Sequence, residues 1–277
     1  MNGRSDPSAI LVPLDGSGLA WKALEAAIEI ARETKARVHL LHVVPRLEEY
    51  ARHPDLFDPL VRELDRVGHE IVAEAAARAG AAGVGFEEAL AHGYPAEEIV
   101  GHAETRRVDL IAMGSRGLTP KGSHVLGSVS YQVAMRAPCS VLVAKSSGLF
   151  DRIVLAVDGS QDARRAAEIV AALGPPFRSD VLLLFVVPER PEGAFTLAST
   201  PAEPFLLDTE KRLRAAGLRV SRAVGYGHPA QEILKAAQGR TLIVLGARGR
   251  SDLALDYVGS VADKILRNGR ASVLLAR

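Results

Sequence analysis

The chain has 277 residues, a net charge of +1, 24% charged and 48% hydrophobic residues, and one cysteine. That length is generous for one core and comfortable for two domains. Basic residues spread through both halves give no electrostatic footprint for nucleic acid or membrane, and the longest strongly apolar run, Val181 to Val187, cannot span a bilayer. The first predicted element is a strand, Ile10 to Leu14, running into Asp15-Gly16-Ser17. A helix follows, with Trp21, Leu24, Ile28 and Ala31 on one apolar face, and then a strand over Val38 to Val44. A polar stretch, Arg46 to Asp58, precedes a second helix, and Pro95 opens the third, where its missing N–H costs nothing. A strand over Val108 to Met113, a glycine-rich loop, a helix opened by Gly127 and a strand over Val141 to Val143 complete the series. Residues 1–9 are polar, with no signal-peptide core, and the single cysteine, Cys139, fits a reducing cytoplasm, so a cytoplasmic location is expected.

The series then repeats. Asp15-Gly16-Ser17 has its partner in Asp158-Gly159-Ser160, 143 positions on, and Leu40-Leu41 to Pro45 matches Leu183-Leu184 to Pro188 at the same offset. Gly93 and Pro95 match Gly227 and Pro229 at 134, so the second copy is shorter between these points. Such length changes are expected in loops. The seam is expected at Lys145 to Phe150, giving domains over residues 9–146 and 151–277. Val/Ile/Leu runs alternating with amphipathic segments predict two tandem doubly wound five-stranded parallel α/β domains, Rossmann-like in form. Ligands of such sheets bind at the carboxyl edge, where strand order reverses.

Both copies carry G-x2-G-x9-G-S after their fourth strand, as Gly114, Gly117, Gly127, Ser128 and as Gly246, Gly249, Gly259, Ser260. The last glycine opens a helix, which is how backbone amides and a helix N-terminus are aimed at phosphate. The competing reading of these glycines is turn geometry, since glycine reaches positive φ at no steric cost. Asp15 likewise has two readings: a hydrogen-bond acceptor for an amine or sugar hydroxyl, or the cap of the helix that begins near Ser17. Cys139 reads as a small apolar residue in a buried strand and Trp21 as core packing. His39 and His42 face opposite sides of one strand and cannot share a metal.

With the glycine motif, the strand-end aspartate and the Gly-x-Pro helix start in both halves, the chain resembles the universal stress protein family in its nucleotide-binding branch. The resemblance implies ATP as ligand, with Mg2+ held by its phosphates, adenine between the second and fourth strands beside the aspartate, and ribose and phosphates on the glycine loop. Carried over, the first site comprises Pro13, Asp15, Val43, Met113, Gly114, Gly117, Gly127 and Ser128. The second comprises Ala156, Asp158, Val186, Leu245, Gly246, Gly249, Gly259 and Ser260. The family also implies pairing through the final strands, here as an internal pseudo-dimer of the two domains with a further homodimer open.

Departures occur at His124 and its counterpart Asp256, two residues before the helix glycine, and at Lys121, which faces Leu253 in the alignment. A carboxylate at Asp256 would repel phosphate and weaken the second site. The expected function is nucleotide-dependent sensing or regulation in stress adaptation, without a catalytic residue, metal site, nucleic-acid partner or membrane partner. The alternatives are slow ATP hydrolysis with His124 or Asp256 as base, and a nucleotide-free scaffold.

Overall fold

In a computed structural model, the described residues are 7–46, 54–118, 126–145, 150–177, 179–187, 203–249 and 258–277. Among them the order is β1 (Ala9–Pro13), α1 (Gly18–Thr34), β2 (Arg37–Pro45), α2 (Pro54–Ala81), β3 (Phe86–Gly93), α3 (Pro95–Arg106), β4 (Leu110–Gly114), α4 (Ser128–Arg136) and β5 (Ser140–Ala144). The second series is β6 (Arg152–Val157), α5 (Gln161–Phe177), β7 (Asp180–Val187), α6 (Glu203–Ala215), β8 (Arg219–Tyr226), α7 (Pro229–Ala236), β9 (Thr241–Gly246), α8 (Ser260–Asn268) and β10 (Ser272–Ala276). These residues form two compact units, 7–139 and 140–277.

In the first unit the strands lie in the order β3-β2-β1-β4, all parallel. The chain winds outward from β1 to β3 and then returns to the other side of β1, so the reversal falls between β1 and β4, where Ile10 stands opposite Leu110. Ile10, Leu11 and Val12 are fully buried, as are Leu40, Leu41 and Ile111. This explains why β1, β2 and β4 read as apolar runs, being buried on both faces, while β3 at the end of the order is mostly half-buried and reads as mixed.

The second unit repeats the plan as β8-β7-β6-β9-β10, with its reversal between β6 and β9. Strand β5, which ends the first sequence repeat, lies in this unit and runs antiparallel to β10, with Val143 opposite Val273 and Leu142 opposite Leu274. The pairing covers an edge that would otherwise be open to association. Lys145 fixes it: its Nζ donates to the carbonyls of Leu266 (2.6 Å) and Gly269 (2.8 Å) at the end of α8. A cation there also complements the helix dipole.

The helices follow the expected logic, with one difference. Pro95 and Pro229 sit in the first turns of α3 and α7 as anticipated. Leu24, Ile28 and Ala31 are buried, but Trp21 is only half-buried and lies under the Arg78 guanidinium, 4.4 Å from its ring centroid. Its partner comes from α2 and makes it a cation–π acceptor at a helix–helix seam rather than a core side chain. Among the described residues α2 runs over Pro54–Ala81 and α6 over Glu203–Ala215, and the stretch before Glu203 lies outside the described residues. Cys139 is buried immediately before β5 rather than within it.

Candidate functional site

The tripeptide Asp15-Gly16-Ser17 ends β1, and each residue has a separate task. The Asp15 Oδ1 accepts from the Ser17 N–H (3.0 Å), Gly16 takes φ +80°, and the Ser17 Oγ accepts from the Ala20 N–H (3.3 Å) as the cap of α1. Asp158, Gly159 and Ser160 repeat this: Ser160 N–H to Asp158 Oδ1 at 2.9 Å, φ +83° at Gly159, and Ala163 N–H to Ser160 Oγ at 3.1 Å. The helix cap is therefore the serine, not the aspartate. The Ser17 and Ser160 hydroxyls also donate to the carbonyls of Arg116 (3.3 Å) and Arg248 (3.4 Å) in the two glycine loops. The β1 and β4 ends, and their counterparts at β6 and β9, are thus tied together at the reversal points.

The glycines of the loops are not there for positive φ. Gly114, Gly117, Gly127, Gly246 and Gly259 all lie outside that region, which removes the turn-geometry reading. What they provide is room. A methyl on Gly114 would come within 2.8 Å of the Leu19 carbonyl carbon and 2.9 Å of the Ala20 nitrogen, and one on Gly246 would stand 2.8 Å from Asp162 Cβ and 2.9 Å from the Ala163 nitrogen. The first glycine of each motif lets the first turn of α1 or α5 close against a strand end. A methyl on Gly117 would instead land on Asp15 Oδ2, so the second glycine leaves space for the carboxylate.

The third glycine caps its helix without a side chain. Gly127 and Gly259 precede α4 and α8 in extended conformation, φ −66° and −67°, and neither helix has a side-chain cap bond. The first-turn amides are left to whatever approaches the loop. Each loop is closed at its base, by Gly127 N–H to Ser115 O and by Gly259 N–H to Ala247 O, both 2.8 Å. Ser130 adds a second tie in the first unit, its hydroxyl donating to Gly114 O at 2.8 Å. Ser128 and Ser260 stand exposed at the helix starts.

The remaining expected residues sit at or next to the same strand ends. Pro13 ends β1 and Met113 is the last residue but one of β4, both buried, while Val43 lies near the end of β2. Ala156, Val186 and Leu245 hold the equivalent positions in β6, β7 and β9, with Val186 half-buried where Val43 is buried. Lys121, His124, Leu253 and Asp256 lie outside the described residues, so the expected charge difference at those positions has no structural counterpart here.

A different asymmetry is visible. Asp162 takes the place of Leu19, and its Oδ2 accepts from the Arg248 backbone N–H (3.0 Å) and Nε (3.2 Å). The second loop is therefore braced by a carboxylate that the first lacks. The signal was in the sequence, as an apolar-to-acidic exchange at the 143-residue offset.

The histidines divide as expected. His42 Nδ1 lies 2.7 Å from Leu14 O, while His39 is buried on the other face, 3.5 Å from Glu87 Oε2 and edge-on to His102 with ring centroids 6.1 Å apart. Among the described residues no group of three or more His, Cys, Asp or Glu is placed to hold a metal. Burial pushes the His39 pKa below 6.5, Glu87 opposes this, and Arg106 and Arg37 reinforce it. His102 is lowered by burial and by Arg106. The unfolded chain then binds more protons than the folded one just below pH 6.5. Stability is expected to be flat above that pH and to fall as pH drops toward the folded-state pKa. Urea midpoints measured from pH 7.5 to 5 should show the decline, and His39→Leu should flatten it.

Comparison with known proteins gives a consistent answer. The family model described as Universal stress protein family matches residues 8–145 and again residues 149–277. The universal stress protein YxiE of Bacillus subtilis is 36% identical over 144 residues, covering 49% of this chain and 97% of that protein. A universal stress protein of Mycobacterium tuberculosis is 25% identical in an alignment covering 100% of this chain and 97% of its own. The crystal structure of a universal stress protein from Archaeoglobus fulgidus DSM 4304 superposes with a TM-score of 0.73 at 25% identity, covering 98% of each chain.

Proposed function

The chain belongs to the universal stress protein family as a tandem of two family domains, and from that premise we propose that each domain binds one adenine nucleotide, ATP, at its strand-reversal point. The observation that carries this reading is the meeting, at the end of β1, of the Asp15 carboxylate with the glycine loop after β4. One carboxylate oxygen is used within the turn and the other lies where only a glycine, Gly117, leaves it room. A carboxylate so held is available to accept from an exocyclic amine or a ribose hydroxyl.

Beside it, the Gly127 start of α4 offers amides without a competing side-chain cap, which suits phosphate. In this reading Val43, Pro13 and Met113 bound the base, and Gly114, Gly117, Gly127 and Ser128 follow the sugar and phosphates. Ala156, Asp158, Val186, Leu245, Gly246, Gly249, Gly259 and Ser260 do the same in the second domain. Mg2+ would enter on the phosphates rather than on a protein cluster. The role of such a protein is to report nucleotide state in stress adaptation, and the pairing of β5 with β10 favours an internal pseudo-dimer.

The test is direct. Protein purified without added nucleotide, then denatured, should release adenine nucleotide identifiable by mass spectrometry. Release of a different ligand class from a protein that also fails to take up added ATP would reject the reading.

A further inference from the structure

The two repeats provide an internal standard for each other, and among the described residues the pair α1–α2 differs from its counterpart α5–α6. In the first unit the α1 face that meets α2 at Trp21, which lies beneath Arg78, carries large side chains on the neighbouring turns: Leu24 is fully buried and Ile28 is 9% exposed. At the matching positions of α5, 143 residues on, stand Arg164, Ala167 and Ala171, and both alanines remain partly exposed. The α6 side keeps its pattern at an offset of 134. The helices end at Ala81 and Ala215, and the ion pair of Arg78 with Glu74 recurs as Arg212 with Asp208.

The result is an open groove of about 570 Å3 between α5 and α6, within the ~300–1,000 Å3 usual for small-molecule sites. It is lined by Ala167, Ala171, the buried Thr209, Phe205 and Leu213, and also by the carboxylates of Glu168 and Asp208, the latter paired with Arg212 at 2.8 Å. Arg164 spans the Phe205 ring at 5.0 Å, and among the described residues it makes no ion pair.

We infer that this groove is a second, non-nucleotide binding site that takes an aromatic anion, an arylacetate-type carboxylate. The first repeat shows what the seam accepts, because its own occupant is an indole ring under a guanidinium. In the second repeat the indole and two aliphatic side chains are gone, Arg212 remains at the position of the covering guanidinium, and Arg164 supplies a cation where Trp21 stood. An aromatic ring regains the buried contact that Leu24 and Ile28 make in the first repeat. Its carboxylate pairs with the planar fork of Arg164. The groove is built from α5 and α6, so the inference does not depend on the nucleotide assignment.

The experiment uses the full chain and indole-3-acetate as probe, followed by saturation-transfer NMR and calorimetry. Saturable binding at one probe per chain is expected, unaffected by excess ATP. Ala167→Leu combined with Ala171→Ile, which restores the first repeat's filling, should weaken it at least tenfold while circular dichroism stays unchanged. Arg164→Gln, at an exposed position, should weaken it about tenfold through loss of the carboxylate partner while circular dichroism stays unchanged. Absence of saturable binding, displacement of the probe by ATP, or wild-type affinity in either variant would overturn the inference.

Discussion

Gly114→Ala is expected to destabilise the first unit by about 3 kcal/mol, near the upper end for overpacking a close-packed site. The added methyl meets backbone, the carbonyl carbon of Leu19 and the nitrogen of Ala20 at 2.8 and 2.9 Å, and backbone in a capped first turn cannot rotate away. Relief requires α1 to lift from the end of β4, which exposes Leu24 and Ala20 and strains the Ser17 cap. At a typical urea dependence of ~2 kcal/mol per molar, the midpoint for that unit should fall by about 1.5 M. Gly246→Ala should do the same to the second unit, where the methyl meets Asp162 and Ala163. An unchanged midpoint in either variant would show that the helix approach is looser than described.

Gly117→Ala is expected to behave in the opposite way, with stability nearly unchanged and nucleotide affinity of the first site reduced at least tenfold. The methyl here meets Asp15 Oδ2, the far end of a side chain, which can swing aside at little cost. Swinging aside breaks the arrangement in which Oδ1 holds the Ser17 amide and Oδ2 faces the loop. A hydrogen bond to a charged acceptor is worth about 1.5–3 kcal/mol, or roughly one to two decades in affinity. Asp15→Ala should reproduce the loss. ATP affinity at the wild-type level in both variants, with the fold intact, would remove Asp15 and the second glycine from the binding site.

The contrast between these neighbouring glycines marks the limit of what could be read from the sequence. That three glycines keep their spacing in both copies was visible, and so was their place between a buried strand and a helix. Why each is a glycine was not, because the answer depends on Leu19 and Asp15, almost a hundred residues away in the chain. Turn geometry, the natural local explanation, applies to Gly16 and Gly159 and to none of the loop glycines whose conformation is described.

The assignment of the helix cap to Ser17 rather than Asp15 was similarly underdetermined, since either residue type can cap and only the bond from the Ala20 N–H to Ser17 Oγ decides between them. Trp21 was misread for the same reason, its Arg78 partner arriving from another helix. Strands β1, β2, β4 and β5, by contrast, were legible to within two residues, because burial on both faces writes itself as a continuous apolar run, whereas β3 and β8 carry half-exposed positions and no such run. The partner of β5 was not, since no local pattern says which edge meets which.

Calorimetric titration of the intact chain with ATP and Mg2+ tests the central claim most directly. The account predicts two nucleotides per chain, falling to one in Gly117→Ala and to one in Asp158→Ala, which disables the second site. Saturation at a single nucleotide that survives both substitutions, or no saturable heat at all, would contradict a nucleotide site built from the strand-end aspartate and glycine loop of each domain.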